Sequence, residues 1–429
     1  MRSIVGRISA VTAVCLLALT GFAGSAFGSR DRETIRLEHL VPQRVVAYGR
    51  GSTLLLGRSD ESGTLLARLA RGGAGDGTFG DHGLLRLDFA VTDIAVQPGG
   101  RIVAVGYGPR PDGSGRVTLV ARLLYNGSLD ASFGEGGIAT VDLGQPSEEA
   151  RSVAIAGGGK IVIGGSGGAY SSRFNTAEAT VMQLTPDGAL DPTFGDDGLV
   201  RLASSSNFSS TVSDVAVLPT GDIVAAMPRE DGVLEVAQLT PRGALVRSRL
   251  QKSFAVEPRG FDRAKGVSLE PLDQIGVLPD GRVVVVGTRR ARSGRHASVV
   301  ALRYLPNGRL DRSFGGGDGV FISRLRNSAA AFAVQPSGRL AIAGGMNGAN
   351  GLFSVLCLDP RGRPDSRFGK GGIARVTFGL PGWQNRAGAL TFQAKRTVTV
   401  AGTVTLYTPG SPYPQRTGLA HLRLRPPVR

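Results

Sequence analysis

The sequence predicts an all-β fold, a seven-bladed β-propeller of four-stranded antiparallel blades, and three observations carry that prediction. First, a Phe-Gly step returns at Phe79, Phe133, Phe194, Phe314 and Phe368, with a degraded copy at Ser253-Phe254. The successive spacings are 54, 61, 60, 60 and 54 residues, and so even a period marks a repeat architecture. Second, the intervening apolar residues come in short β-branched runs bounded by glycine: IVAVG from Ile102, IVIGG from Ile161, IVAAM from Ile223, VVVVG from Val283, LAIAGG from Leu340 and VTVAG from Val398. Such runs are the pattern of strands buried on both faces, and helical periodicity is absent beyond the N-terminal segment. Third, the ends of the chain are complementary. The last unit stops after a third strand at residues 419–425, whereas residues 34–38 align with residues 84–88, a fourth strand with no unit of its own. Radial stacking of the sheets buries both faces of each one, and the N-terminal strand joining the last blade closes the ring.

Each unit reads as four strands, a to d. In the second, residues 93–97 form strand a, a Pro-Gly-Gly-Arg turn ends at Arg101, residues 102–106 form strand b, residues 118–124 strand c, and residues 138–142 strand d after the Phe-Gly step. Aligned on that step, the chain divides into units at 31–80, 81–134, 135–195, 196–254, 255–315, 316–369 and 370–426. Together they make a single domain over residues 29–429, preceded by a leader at 1–28. No linker, low-complexity tract or charge block separates them, and the 64 glycines serve turns.

The leader places Arg2 and Arg7 before an apolar stretch from Ile8 to Phe22 and small residues suited to cleavage near Ala26 or Gly28. It reads as a secretory signal peptide. The other reading, an uncleaved anchor, is weakened because the stretch is shorter than the ~20 residues of a spanning helix. No later segment is apolar enough to span, so the expected location is extracellular. Cleavage removes Cys15 and leaves Cys357, so no intrachain disulfide forms and the core must supply stability. Of the 50 basic residues 45 are Arg, and the formal charge of +16 becomes +14 without Arg2 and Arg7. That excess favours anionic partners through the long-range field. The Arg-to-Lys ratio reads as codon bias rather than as a nucleic-acid groove, so no nucleic-acid partner is expected.

Two motifs recur: a Gln-Pro-x-Gly-Arg turn between strands a and b, at 97–101, 278–282 and 335–339, and Leu-Asp-x-x-Phe-Gly-x-x-Gly, at 129–137, 190–198 and 310–317. Together they resemble the delta-60 repeat family of bacterial proteins, and the resemblance covers essentially the whole mature chain. It implies the repeat fold and supplies no catalytic assignment. Two places depart from it: residues 246–254, where the Asp and Gly are lost, and the first unit, whose a–b turn is Gly49-Arg50-Gly51.

The Asp of the signature (Asp76, Asp130, Asp191, Asp311, Asp365) precedes a tight turn whose backbone N–H groups an Asx side chain can accept. A calcium loop is the alternative, but the second carboxylate of Asp81, Glu135 and Asp196 is replaced by Gly316 and Lys370 in later copies, and calcium takes six to eight oxygens. No metal and no cofactor are therefore expected. Gly164-Gly-Ser166-Gly-Gly168 matches a nucleophile elbow in letters only, since no helix follows it. Four His without i, i+4 spacing make no zinc motif. Strand c carries Arg68, Arg122, Gln183, Gln238, Arg303, Cys357 and Arg423 at one equivalent position. Repetition in every unit argues for an architectural role, with guanidinium and amide groups reaching carbonyls or signature carboxylates between sheets.

Almost all variation in length and chemistry belongs to the b–c and d–a loops, which share one face, and recognition is expected there. Candidate ligand-binding residues are Tyr107, Arg110, Tyr170, Arg173, Arg289, Arg290, Arg292, Arg295, Trp383 and Arg386. Trp383, taken as a loop residue, either stacks on a sugar or anchors a protein partner, or else plugs the ring closure, and the Arg289–Arg295 cluster either holds a polyanion or is a solvated loop. The expected protein is a monomeric, non-catalytic binding or scaffold propeller whose partner is a surface glycan or protein. The alternative is a hydrolase or lyase at the mouth of the central channel, drawing on Glu148, Glu149, Asp214, Asp262, Glu270 and Asp273.

Overall fold

The computed structural model describes residues 37–38, 40–59, 63–71, 73–168, 177–202, 211–228, 234–246, 267–291, 297–324, 327–346, 353–376, 383–394, 397–406 and 415–423. Apart from two short 3-10 turns at Gly49–Gly51 and Gly157–Gly159, the regular elements are strands. The protein is an all-β propeller with antiparallel blades. Among the described residues, four separate four-stranded sheets, one three-stranded sheet and one eight-stranded sheet are present. The first unit supplies Leu40–Tyr48, Ser52–Ser59, Gly63–Leu69 and Leu84–Leu87 in meander order. The eight-stranded sheet joins the second and third units through one parallel bridge, Ser147 to Arg116. The fourth unit shows Asp214–Val217, Ile223–Pro228 and Leu234–Leu239, and its expected fourth strand lies outside the described residues. The leader likewise lies outside them. Among the described residues no helix is long and apolar enough to cross a membrane.

The last sheet orders Leu37–Glu38, Gln415–Arg423, Thr397–Leu406 and Trp383–Ala394. The N-terminal strand does pair with the final one, but Leu37 faces Thr417 and Glu38 faces Arg416. The expected partner run, 419–425, is therefore displaced toward the start of that strand.

Burial follows the double-sided pattern of the sequence. Each buried apolar cluster is shared by two neighbouring units. Leu54, Leu56 and Leu66 pack with Ile94, Ile102 and Ala104, and Val103, Val105 and Val120 pack with Ile161, Ile163 and Met182. Leu40, Val45, Leu55 and Ala67 of the first unit pack with Ala389 and Ala401 of the last. Gly388 is a close-approach position there, since a Cβ would lie 2.7 Å from the Pro42 carbonyl oxygen.

The Phe-Gly signature is a seam between units. Phe79, Phe133, Phe194, Phe314 and Phe368 are fully buried, each worth ~1.5–3 kcal/mol of transfer free energy. The glycine after them has φ of 52°, 54°, 56°, 67° and 55°, a region that costs glycine little. A Cβ on it would come within 2.3 Å of a carbonyl oxygen, for example that of Ile138 beside Gly134. Its N–H donates to the next unit: Gly80 to Asn126, Gly134 to Asp187, Gly195 to Arg242 and Gly315 to Arg361, at 2.8–2.9 Å. In the fifth unit the signature ends two residues beyond the 310–317 of the sequence reading, one residue longer than the copy at 129–137. Gly319, not Gly317, accepts the N–H of strand c, as Gly137 does in the second unit.

The strand-c position is architectural among the described residues. Arg122 is buried, and its Nε donates to Asp130 Oδ2 at 2.9 Å and its Nη2 to Ser132 Oγ at 3.0 Å. Its Nη1 donates to the Pro186 carbonyl of the next unit, and its guanidinium lies 4.6 Å from the Phe133 ring centroid. Arg68 and Arg303 repeat this on Asp76 and Asp311, reaching the Tyr125 and Pro360 carbonyls. The two recurring motifs meet here. The turn cation binds the signature carboxylate of its own unit: Arg101 to Asp130 at 3.0 Å, Lys160 to Asp191 at 2.6 Å, Arg282 to Asp311 at 3.2 Å and Arg339 to Asp365 at 3.0 Å. Where strand c has Gln183 or Cys357 instead of Arg, the turn cation remains. In the fourth unit Val246 takes the signature position, and the turn residue Asp222 accepts from Gln238 at 2.7 Å.

Candidate binding cleft

The innermost strands carry an irregularity at one place. Register shifts fall between Pro42 and Arg44, Val91 and Asp93, and Ala150 and Ser152. A bulge re-aims side chains, and the residues at this register position are Arg44, Asp93, Ser152, Asp214, Ala331 and Ala389. Asp93 Oδ2 accepts the Val153 N–H at 2.9 Å, Ser152 Oγ accepts Val215 N–H at 3.2 Å, and Asp214 Oδ2 accepts Ile275 N–H at 2.8 Å. Each therefore ties its own inner strand to the next one. Ser152 Oγ also donates to Asp214 Oδ1 at 2.7 Å. Arg44 binds Asp93 through Nε at 2.6 Å and Nη2 at 3.0 Å, and its Nη2 lies 3.6 Å from Asp214 Oδ1. Burial pushes the Asp214 carboxyl up, against the nearby Arg44 charge. Against the downward push of its own burial, Asp93 and Asp214 hold the Arg44 guanidinium more firmly protonated than in water.

Beside this charged axis, on the face of the b–c and d–a loops, a cleft of about 1160 Å³ opens between the first two units and reaches the third. Gln43, Thr92 and Arg151, the residues inside the three irregularities, line it together with Arg58, Arg86, Asp88, Tyr107 and Arg116. Its four arginines are exposed. Arg116 Nη1 donates to Glu149 Oε1 at 2.5 Å, and Arg151 Nη2 donates to Glu149 Oε2 at 2.6 Å. Glu149 is itself only 5% exposed. The Arg116 guanidinium stands 4.8 Å from the Tyr107 ring centroid.

Of the residues anticipated for binding, Tyr107 lines the cleft, though as part of strand Ile102–Pro109 rather than of a loop. Arg110 follows that strand and turns inward: its Nη2 donates to Asp142 Oδ1 at 2.7 Å and to the Gln145 carbonyl at 2.8 Å, fastening the neighbouring loop. Arg289 and Arg290 are not loop residues. They belong to strand Val283–Ala291, opposite Leu269 and Ser268, because the β-branched run continues its pairing beyond Gly287. Trp383 and Arg386 also belong to a strand, Trp383–Ala394, with Trp383 opposite Leu406 and Arg386 opposite Thr403. Tyr170, Arg173, Arg292 and Arg295 lie outside the described residues.

Arg58, Arg86, Arg116 and Arg151 were not anticipated. The legible signal was positional, since the ends of strands b and d and the starts of strands a and c share one face. Among the carboxylates considered for catalysis, Glu148 Oε1 accepts the Leu143 and Gln145 N–H groups at 2.7 and 3.0 Å, and burial pushes its carboxyl up. Glu149 and Asp214 are committed as described. Asp262 lies outside the described residues. Ser166 is buried within strand Ile161–Gly168, and among the described residues no grouping could hold a metal.

Comparison with known proteins agrees with the repeat architecture. The family described as "Domain of unknown function (DUF5122) beta-propeller" matches residues 97–133, 159–194 and 278–314. Each match begins at or beside an a–b turn and ends on the Phe of the signature. Three stretches of the chain are thus similar to the repeat of a β-propeller family. No curated protein matches it. Among solved structures, it is similar to a protein of unknown function from Dyadobacter fermentans at 13% identity, with 90% of this chain and 95% of that chain covered and a TM-score of 0.39. It is similar to an alpha-l-arabinofuranosidase of Fusarium graminearum at 10% identity, with 78% and 94% covered and a TM-score of 0.40. A third similarity is to an acylaminoacyl peptidase of Pyrococcus horikoshii at 10% identity, with 88% and 52% covered and a TM-score of 0.45. Likenesses this remote carry no argument about activity.

Proposed function

We propose that this chain is a secreted, monomeric, non-catalytic binding or scaffold propeller of the delta-60 repeat kind, and that its loop-bearing face recognises a cell-surface glycan or protein. The observation that carries this reading is the cleft: a concave site lined by four exposed arginines and one aspartate, on a scaffold whose remaining variation lies on the same face. Concave sites with convergent polar groups are the usual places of recognition. For catalysis, the described carboxylates offer less, because Glu148, Glu149 and Asp214 are each taken up by backbone N–H groups or arginines. Retention of the purified protein on immobilised neutral and acidic glycans, and on intact bacterial cells, tests the reading. Binding to a glycan or to cells is expected, and retention on neither would end it.

The same reading takes the propeller as seven-bladed and closed, with cleavage near Ala26 or Gly28. Support comes from the apolar cluster shared by the first and last units and from the Leu37–Thr417 pairing. Deleting residues 29–40 would uncover the edge of the last sheet, and such edges are costly. A Tm lowered by several degrees is expected, and an unchanged Tm would count against closure.

A further inference from the structure

We infer that the cleft takes the carboxylate- or sulfate-bearing units of an acidic polysaccharide, seated on Arg116 and Arg151, with Glu149 as the positioning residue that holds the two guanidiniums together. The inference rests on the binding role proposed above and assigns its ligand class and its anion seat.

Three features converge on it. Arg116 and Arg151 come from different units, yet each donates to a different oxygen of one buried carboxylate, at 2.5 and 2.6 Å. Each guanidinium has five N–H donors, so donors remain after that bond, and both side chains are about half exposed at the cleft. Glu149 thus fixes the spacing of two cations that would otherwise be mobile, and such pre-organisation lowers the ordering cost of binding. The charge count is the second feature. Four arginines against Asp88 and Glu149 leave a formal excess of two, which suits separated single charges along a polymer. The third is Tyr107. Neutral sugars are gripped largely by open aromatic faces, and the Arg116 guanidinium already lies over this ring at 4.8 Å.

The test compares retention on dextran, dextran sulfate and polygalacturonate, which separates a neutral chain from its sulfated form and from a carboxylated one. Retention on one or both acidic polymers, absent on dextran and falling with salt as the screening length shrinks from ~10 Å at 0.1 M toward ~3 Å at 1 M, is expected. The double variant Arg58→Ala, Arg116→Ala leaves Arg151 on Glu149, so no buried carboxylate is orphaned, and should weaken binding about tenfold. The same charge loss on the opposite face, Arg361→Ala with Arg363→Ala, should leave it within about twofold. Glu149→Gln discriminates most sharply. It makes the cleft more positive, so attraction by charge alone predicts tighter binding, whereas positioning by Glu149 predicts weaker binding. Thermal melts verify folding of each variant. Equal retention on dextran and dextran sulfate overturns the inference and leaves glycan recognition standing. Equal losses for the two double variants, or tighter binding by Glu149→Gln, overturn the assigned seat. No retention on any of the three overturns the inference, and binding to intact cells in the same assay would then point to a protein partner.

Discussion

The outer and inner edges of the repeat carry their charges in opposite ways. At the outer seam, the same device returns: a signature aspartate accepts the backbone N–H of the residue two on and is neutralised by a cation of its own unit, as in Asp130 with Ser132, Arg122 and Arg101. At the axis, the equivalent position holds Arg44, Asp93, Ser152 and Asp214 in the first four units but Ala331 and Ala389 in the last two. One cation there serves two carboxylates from different units. Redundancy outside and a single shared charge inside mean that the edges should respond differently to the same kind of substitution.

The largest effect is expected at the axis. Arg44→Met would leave Asp93 and Asp214 buried without their cation, and uncompensated buried charge costs about 3–5 kcal/mol. Urea unfolding measures it, and a loss below about 1 kcal/mol would show that backbone N–H groups alone satisfy the pair. At the seam, Arg303→Met removes a buried guanidinium bound to Asp311, Ser313 and the Pro360 carbonyl. Arg282 remains on Asp311, so the expected loss is smaller, about 1–3 kcal/mol. A loss equal to that of Arg44→Met would break the distinction between the edges. Arg101→Ala removes one of the two cations on Asp130, but that arginine is about half exposed and Arg122 remains, so its loss should stay below about 1 kcal/mol.

Acid sharpens the contrast further, with the smallest effect near neutrality. Burial pushes the Asp311 carboxyl up, but hydrogen bonds from Ser313 and the charges of Arg282 and Arg303 outweigh it and hold the group down to about 2. A depressed carboxyl contributes stability that is fully present above the unfolded value, ~3.9, and is lost as pH falls from there through about 2. Asp214 is shifted the other way, so its ionisation withdraws stability as pH rises through its folded value. Chemical denaturation between pH 2 and 5 should show a steeper acid loss in the native protein than in Asp311→Asn. Parallel profiles would mean that the seam does not depress this group.

The repeat period, the strand order within a unit and the partnership of the signature with strand c were all legible in the sequence. They recur, and recurrence exposes any residue whose role is local to a unit or to its contact with the next. Trp383, Arg289 and Arg290 were placed in loops because glycine and proline flank them, but strand pairing extends past such residues when a neighbouring strand supplies partners. The cleft arginines were legible only as positions toward one face, not as a cluster. Arg58, Arg86, Arg116 and Arg151 come from four different strands, Arg151 from the middle of its own, and look like scattered surface charge in an arginine-rich chain. The sequence by itself determined a β-propeller repeat and its internal staples, because period and motif are one-dimensional properties. Only the tertiary structure decided that Arg44 would span two other units, and that a buried glutamate of the third would draw an arginine from the second alongside its own. Those contacts join positions separated by 33 to 170 residues, and no spacing along the chain encodes which units face each other across the axis.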